Sequence, residues 1–437
     1  MTTNYRIRIS RIHSNIFWDY LLVYLLLLLS AGFFFRHQYN RYTQPVYLSL
    51  LLLTIVKRDI KLKIDILIPT LSLIALIVIT AIITGLGYYQ NYVFCIISIL
   101  TAYFVTQIYN YKRFFSLFSN CILCICIASI IGWMLVETIP SFVTAFPKLV
   151  NSVGFDGHFL VLTILGVPNY AGFQNRAQGI FWEPGAFQTM IVIAVIGDLF
   201  INDTASKRKR TIIYFVALAL TLSTTGYICF AILIMILAVK DKKKIPILGM
   251  LLTLFLAVGI MLLVYFKDRL PHFLYFTLFT KMEAVLSYRP GAAISDLAAE
   301  KTAYVRMNSV YYPMIGFLKS PLWGIGFSGY NQMGEMLGYG NMFTFTPINI
   351  FAYFGVIYAS ISVYGFLRTI KQINASFFCK CLIVLLIIVT ISSEDYCVGV
   401  ASITVFLLYG YGNFNYKYLL KAEGYEKIYE SSLYQQL

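Results

Sequence analysis

A short polar run, residues 176–185, holds the side chains in this sequence best suited to chemistry. It reads Arg-Ala-Gln-Gly-Ile-Phe-Trp-Glu-Pro-Gly and leads into a long apolar stretch. Proline suits the first turn of a helix, so Glu183 is predicted to be an N-cap residue, where the helix dipole favours an ionised carboxylate. Such a carboxylate is suited to act as a base or to bind a sugar. The alternative is a plain helix cap beside an interfacial aromatic, Trp182.

A second polar run begins in the middle of a predicted amphipathic helix at residues 292–318. The polar residues of this run are Arg306, Asn308, Ser309 and Lys319. The helix leads into a Gly-rich turn at residues 324–329. We expect the Arg306 guanidinium and free backbone N–H groups of that turn to lie close together, which suits an anion. Arg289 is near in sequence and is expected to add to the site, although contact with lipid headgroups is the alternative for each cation.

Two weaker candidates are the turn Ser223–Gly226 and the acidic pair Glu394–Asp395. For the acidic pair, a solvated turn is the favoured interpretation.

A nucleotide-sugar enzyme with a bound metal and an ATPase both lack support in the sequence. It has no Asp-x-Asp, no His-x-x-x-His and no phosphate-binding Gly-rich loop with lysine. The cysteines at 121, 124 and 126 have a metal-like spacing, but they lie in an apolar stretch without nearby histidine. Apolar packing is therefore favoured over a metal site.

The composition of the chain excludes a water-soluble fold. Of its 437 residues, 59% are hydrophobic and 12% are charged, and the mean hydropathy is +0.76. Stretches long enough to cross a bilayer recur along the chain. Five of them are Phe17–Phe35, Ile64–Thr84, Phe114–Val136, Ile245–Phe266 and Pro347–Leu367. The net charge of +15 is concentrated in short clusters beside these stretches, so it indicates membrane topology and not nucleic-acid binding.

The basic clusters predict which side each loop faces. Cytoplasmic loops carry the excess of Lys and Arg, and most of the 34 basic residues alternate onto one side. Residues 211–239 have basic clusters at both ends, so they are predicted to form two short helices that fold back at residues 223–226. The result is an all-α, polytopic integral membrane protein with about twelve spans and both termini in the cytoplasm. The first apolar stretch is predicted to be a retained helix, with no signal peptide.

The predicted organisation has five parts. They are transmembrane helices 1–5 at 1–136, a first periplasmic loop at 137–184, helices 6–9 at 185–266, a large periplasmic loop at 267–346, and helices 10–12 with a cytoplasmic tail at 347–437. The two long loops contain most of the charge that topology does not explain. Function is therefore expected on the non-cytoplasmic side.

These residues resemble a known family. The matching features are Arg-x-x-Gly-x-x-x-Glu-Pro-Gly at 176–185, Leu-Ser-Thr-Thr-Gly at 222–226, the Arg306 helix with Lys-Ser-Pro-Leu-Trp-Gly-Ile-Gly at 319–326, and the helix that begins Pro-Ile-Asn-Ile-Phe-Ala-Tyr-Phe-Gly at 347–355. In order and sidedness they resemble the O-antigen polymerase and ligase-like membrane glycosyltransferases, specifically the Wzy-type polysaccharide polymerases. The resemblance covers roughly residues 170–365. One departure is Thr224–Thr225, where the family often has Ser-Arg.

The resemblance implies a GT-C-like membrane fold in the bacterial inner membrane and a reaction that needs no cofactor or metal. Two undecaprenyl-diphosphate-linked oligosaccharides would be the donor and the acceptor, joined at the periplasmic face into O-antigen, capsular polysaccharide or exopolysaccharide. It implies catalytic roles for Glu183, Arg176 and Arg306, with Arg289 on a diphosphate. Further substrate-binding residues would be Trp182, Asn308, Ser309 and Lys319. Membrane lipids and a chain-length regulator are the implied partners, and an O-antigen ligase or a flippase of lipid-linked sugars is the alternative.

Overall fold

The structure is a computed structural model, and it is mostly helical. It describes residues 3–33, 40–150, 156–165, 176–202, 207–240, 298–336, 343–396 and 400–412. The predicted span Ile245–Phe266, most of the cytoplasmic tail and Arg289 lie outside the described residues. The first helices are α1 Thr3–Ala31, α2 Asn40–Lys57, α3 Ile64–Thr84, α4 Tyr89–Ile108, α5 Tyr111–Thr138, α6 Pro184–Phe200, α7 Lys207–Leu220 and α8 Thr224–Lys240. They are followed by α9 Ala298–Lys319, α10 Gly326–Met336, α11 Thr346–Gln372, α12 Phe377–Ile391 and α13 Ala401–Tyr409.

Within the described residues, 4 helices are long and apolar enough to cross a membrane. These helices are α3, α4, α5 and α11. Shorter apolar helices accompany them at Ile16–Ala31, Pro184–Phe200, Thr224–Lys240 and Phe377–Ile391. Of these, α6 is buried along nearly its whole length, as expected for a helix that is apolar on all sides. The architecture is that of a helical, membrane-embedded protein.

A small β-sheet departs from the predicted all-α fold. Its strands are β1 Lys148–Val150, β2 Asp156–Leu160 and β3 Thr163–Leu165, paired antiparallel in chain order. The sheet falls in the predicted first periplasmic loop and rests on α5, where the Ser129 and Thr163 hydroxyls are 3.1 Å apart. The pattern of transmembrane helices carries no signal for it, because strands this short are defined by their pairing.

Basic side chains that flank the helices hold one end of the bundle together. Asp19 of α1 accepts a hydrogen bond from Arg58, after α2, at 2.7 Å and one from Arg113 of α5 at 3.3 Å. At the same end of the bundle, Asp198 near the C-terminal end of α6 pairs with Arg210 of α7 at 2.5 Å. The basic residues after α2 and at the starts of α5 and α7 therefore lie at the same end of the helix bundle.

The segment that was predicted to fold back contains two helices that pack against each other. Helices α7 and α8 are both short, and they are joined at residues 221–223. The turn comes slightly earlier than the sequence indicated, so Thr224, Thr225 and Gly226 form the first turn of α8. Leu222 in this turn has a φ of +47°, a left-handed conformation that is strained for a branched, non-glycine residue.

Helix α11 is broken at Gly355, where φ is 75° and ψ is −179°. The turn at residues 321–325 occupies the break: Val356 N–H donates to Pro321 O, and Ile325 N–H donates to Ala352 O, each at 2.8 Å. A Cβ on Gly355 would lie 2.1 Å from Leu322 O, so only glycine allows this approach. Backbone groups freed by the break are thus paired within the protein, as a broken helix in a membrane requires.

Candidate functional site

Residues 176–183 form a largely buried segment with a turn at Gly179–Ile180, and it contacts three elements. Trp182 N–H donates to Ala31 O at the end of α1, and Ala177 N–H donates to Leu220 O at the end of α7. Gly179 O accepts from Ile164 of β3 at 2.8 Å. Gly179 has a φ of 60°, and a Cβ there would lie 2.8 Å from Ile125. The motif is therefore held rigidly, which fixes the positions of the two charged residues at its ends.

Arg176 is bound to the turn between α7 and α8. Its Nε donates to Thr221 O at 2.7 Å, and its Nη2 donates to Leu222 O at 3.2 Å. These carbonyls follow the last turn of α7, where carbonyl groups lack partners within the helix. The guanidinium thus stabilises the strained Leu222 turn and is fixed in one orientation.

Glu183 is the N-cap residue of α6, with Pro184 in the first turn, as the sequence predicts. Its side chain makes no capping hydrogen bond to the helix, and it is half-buried. The favourable field of the helix N-terminus therefore acts on a carboxylate that is not used to close the cap. Such a carboxylate is placed to accept a proton or a hydrogen bond from a ligand.

Glu394 follows α12 and reaches the same place from the opposite end of the chain. It is 5% exposed, and Trp182 Nε1 donates to its Oε2 at 3.1 Å. A Cβ on Gly185 would lie 2.4 Å from Glu394 Oε1, so this carboxylate lies against the N-terminus of α6. The interpretation of Glu394–Asp395 as a solvated turn is wrong, because the turn is packed against α6 and α11.

Arg306 of α9 comes to the other side of the α7–α8 turn. Its Nη1 donates to Thr225 Oγ1 in the first turn of α8 at 3.2 Å, and its side chain is exposed. The pKa of Arg176 is lowered to about 10, first because its surroundings withdraw it from water. Glu183 opposes this shift, Arg306 adds to it, and Glu394 opposes it. Arg176 therefore keeps its charge at neutral pH.

We call a group of five residues the turn cluster: Arg176, Trp182, Glu183, Arg306 and Glu394. Arg176 and Arg306 bind the α7–α8 turn and the first turn of α8. Glu183 and Glu394 act electrostatically on Arg176, and Trp182 binds Glu394. The turn cluster lies at the Glu183 end of α6, opposite the end that carries Asp198 and its partner Arg210. Two guanidinium groups are held near each other there, and a helix N-terminus adds partial positive charge. The arrangement can bind a multiply charged anion, with two carboxylates beside it.

The structure does not bring the Gly-rich turn to Arg306, which corrects that prediction. Lys319 is exposed in the last turn of α9, roughly 20 Å from Arg306 at the rise of an α-helix. The N–H groups after it are used within the protein: Gly324 donates to Ser320 O, and Phe327 donates to the Tyr92 hydroxyl. Neither Lys319 nor this turn belongs to the turn cluster.

Asn308 and Ser309 are buried on α9, at 4% and 0% exposed. The Ser309 hydroxyl donates to Val305 O at 2.6 Å and accepts from Thr344 N–H at 2.9 Å. Ser309 therefore connects α9 to the segment before α11. In the part of the chain that is described, no group of three or more His, Cys, Asp or Glu residues could hold a metal ion, and the cysteines there are free thiols.

No protein-family profile, curated protein or solved structure matches the chain. The sequence offered Glu394 only as a weak candidate, because its pairing with Trp182 joins residues that are 212 positions apart. Arg176, Glu183 and Arg306 were accessible to sequence reasoning because each stands in a recognisable local pattern.

Proposed function

We propose that the protein is a membrane glycosyltransferase that polymerises undecaprenyl-diphosphate-linked oligosaccharide repeat units into O-antigen, capsular polysaccharide or exopolysaccharide. The observation that carries this proposal is the turn cluster, which holds two arginines and the carboxylate of the N-cap residue Glu183 at one end of the membrane helices. A lipid diphosphate matches the arginines in charge. It would reach them from the membrane between helices.

In the proposed reaction the acceptor sugar hydroxyl attacks the anomeric carbon of the donor glycan. A new glycosidic C–O bond forms, the bond from that carbon to the diphosphate breaks, and undecaprenyl diphosphate leaves with the bonding electron pair. Glu183 accepts the hydroxyl proton. Arg176 and Arg306 stabilise the charge that develops on the departing diphosphate, and each such donor lowers the barrier by about 3 kcal/mol. The mechanism assigns no step to a metal ion.

The proposal includes a topology of about twelve spans with both termini in the cytoplasm of a bacterial inner membrane. The turn cluster then faces the periplasm, and a chain-length regulator is the expected protein partner. Arg289 belongs to the diphosphate site in this proposal. An O-antigen ligase, which transfers finished glycan to a lipid acceptor, and a flippase of lipid-linked sugars remain the alternatives.

The test is the length of surface polysaccharide, on gels, in a strain that lacks the gene and is complemented with wild type, Arg176→Ala, Glu183→Gln or Arg306→Ala at matched abundance. Single repeat units on the surface are expected from the three variants, because polymerisation is the step removed. Matched controls are Arg208→Ala, an exposed arginine at the far end of α7, and Glu335→Gln, an exposed glutamate on α10. Both should give wild-type ladders.

Three other results would overturn the proposal. Long lipid-linked chains without surface glycan would identify a ligase. Repeat units trapped on the cytoplasmic leaflet would identify a flippase. Wild-type ladders from Arg176→Ala, Glu183→Gln and Arg306→Ala would remove the turn cluster from the chemistry.

A further inference from the structure

The two carboxylates of the turn cluster have different surroundings. Glu183 is half-buried and makes no capping hydrogen bond, whereas Glu394 is 5% exposed and binds the Trp182 indole N–H. Burying a carboxylate is costly unless its oxygens are bound or its charge is matched. For Glu394 that compensation comes from Trp182, from the N-terminus of α6 beside Gly185, and from Arg176. Because the Glu394 carboxylate already interacts with three parts of the protein, it is suited to hold other residues in place.

The backbone around Glu394 is anchored on both sides. The Thr346 hydroxyl of α11 donates to Glu394 O and accepts from Tyr396 N–H at 2.8 Å. On the side of α6, Gln188 Nε2 donates to Ser393 Oγ at 3.3 Å. The carboxylate is therefore presented from a rigid turn that two helices fix.

Two residues of the turn after α12 hold Trp182: Glu394 binds its indole N–H, and Tyr396 packs against its ring. Its Nε1 is bound to Glu394, and its ring packs on Tyr396 with centroids 5.9 Å apart and planes tilted by 52°. The Tyr396 hydroxyl is itself 2.7 Å from Thr189 Oγ1 on α6. Trp182 is still half-buried and not enclosed, next in sequence to Glu183. An oriented aromatic surface of this kind suits the apolar face of a sugar ring.

We infer that Glu394 is a positioning residue that fixes the Trp182 indole as a platform for a sugar ring of the lipid-linked glycan, next to the diphosphate-binding arginines. This inference rests on the proposed function and deepens it. It divides the substrate between two parts of the turn cluster: Arg176 and Arg306 bind the diphosphate, while Trp182 binds sugar. Glu394 touches neither and acts through Trp182.

The experiment uses full-length protein in liposomes, with lipid-linked repeat units extracted from the strain that lacks the gene. The variants are Trp182→Phe, which keeps a ring but removes the N–H donor, Glu394→Ala, and the double variant. We expect each single change to raise KM about tenfold, the effect of one lost hydrogen bond to a charged group, with kcat within about twofold. The double variant should be no worse than either single one, because both remove the same contact.

Two further variants guard against simple misfolding. Glu394→Gln keeps an oxygen that can accept from Trp182, so its KM should lie closer to that of wild type. Gly185→Ala removes no polar group, yet its Cβ would displace Glu394 Oε1, so its KM should rise as in Glu394→Ala. Undecaprenyl diphosphate carries no sugar, so its Kd should stay within about twofold of the wild-type value in every variant. A twofold change in Kd corresponds to well under 1 kcal/mol of binding free energy.

The outcomes separate this inference from the function on which it rests. A wild-type protein that forms no polymer overturns the proposed function and the inference with it. A working wild type overturns the inference alone if the Trp182 and Glu394 effects multiply in the double variant, if they fall on kcat with KM unchanged, or if undecaprenyl diphosphate binding is lost as well.

Discussion

Arg176 acts through its shape as well as its charge. One guanidinium spans two adjacent carbonyls, Thr221 O and Leu222 O, at 2.7 and 3.2 Å. A planar fork of donors is what such a pair needs, and lysine offers a single point charge on a flexible stem. The residue therefore both closes the α7–α8 turn and presents positive charge to its surroundings.

Arg176→Lys is expected to lose polymer formation almost as fully as Arg176→Ala, by at least about tenfold. Lysine cannot bind both carbonyls, and the burial that lowers the pKa of the arginine would also disfavour a charged amine. The measurement is the initial rate of polymer formation in membranes with matched protein abundance. A lysine variant with wild-type rate would show that charge alone is sufficient at this position, contrary to the geometry described.

The sequence predicts the surroundings of a residue where they depend on a local motif, but not where they depend on pairing with a distant part of the chain. Glu183 was identifiable because Pro184 marks the helix start. Glu394 stood out only as part of an acidic pair in a turn, and its burial could not be predicted because that burial comes from Trp182 and Gly185, far away in the chain. The expected closeness of Arg306 to the Gly-rich turn was wrong because Arg306 stands three to four helical turns before the end of α9, roughly 20 Å from Lys319 at the rise of an α-helix.

The break in α11 shows how two motifs far apart in sequence form one element of structure. Gly355 and Gly324 both have positive φ, at 75° and 73°. A Cβ on Gly324 would lie 2.4 Å from Tyr353 O, just as one on Gly355 would meet Leu322 O at 2.1 Å. The sequence showed both glycines, but their contact depends on tertiary packing. No local pattern specifies it.

Gly355→Ala is expected to lower the free energy of unfolding by more than about 2 kcal/mol, because it combines backbone strain with a clash against Leu322. Gly85→Ala is the matched comparison: its φ is 93°, yet nothing lies within 4 Å of an added Cβ. That variant carries the backbone strain without the clash, so it should lose less, about 1 kcal/mol. Thermal unfolding of the detergent-solubilised protein measures both. Equal losses would contradict the close contact between α11 and the turn at residues 321–325.

At the scale of the whole molecule, the ends of the helix bundle differ in chemistry. One end carries basic residues paired with Asp19 and Asp198, and the other carries the turn cluster. The alternation of basic clusters in the sequence was sufficient to anticipate this separation, since topology depends on simple charge counts. The small β-sheet was not anticipated, because no comparable rule links a short apolar run in a loop to strand pairing.

The proposed topology predicts which end an impermeant maleimide can reach in intact cells. Ser141→Cys lies in the exposed segment after α5, and Lys209→Cys lies in the basic start of α7. The first should be labelled in intact cells and the second only after the membrane is opened, with the wild-type protein as the blank for native cysteines. Labelling of Lys209→Cys from outside would reverse the orientation and place the turn cluster in the cytoplasm.

In the proposed function, the turn cluster joins lipid-linked glycans and releases the lipid diphosphate. The most direct measurement is undecaprenyl diphosphate released per glycosidic bond formed, by purified full-length protein in liposomes with lipid-linked repeat units and EDTA. We expect a ladder of products with one undecaprenyl diphosphate released per bond. Arg176→Ala and Arg306→Ala should abolish it, and Arg208→Ala should retain it. Repeat units that cross the bilayer without joining, or polymer formation that persists in both arginine variants, would contradict the proposed function.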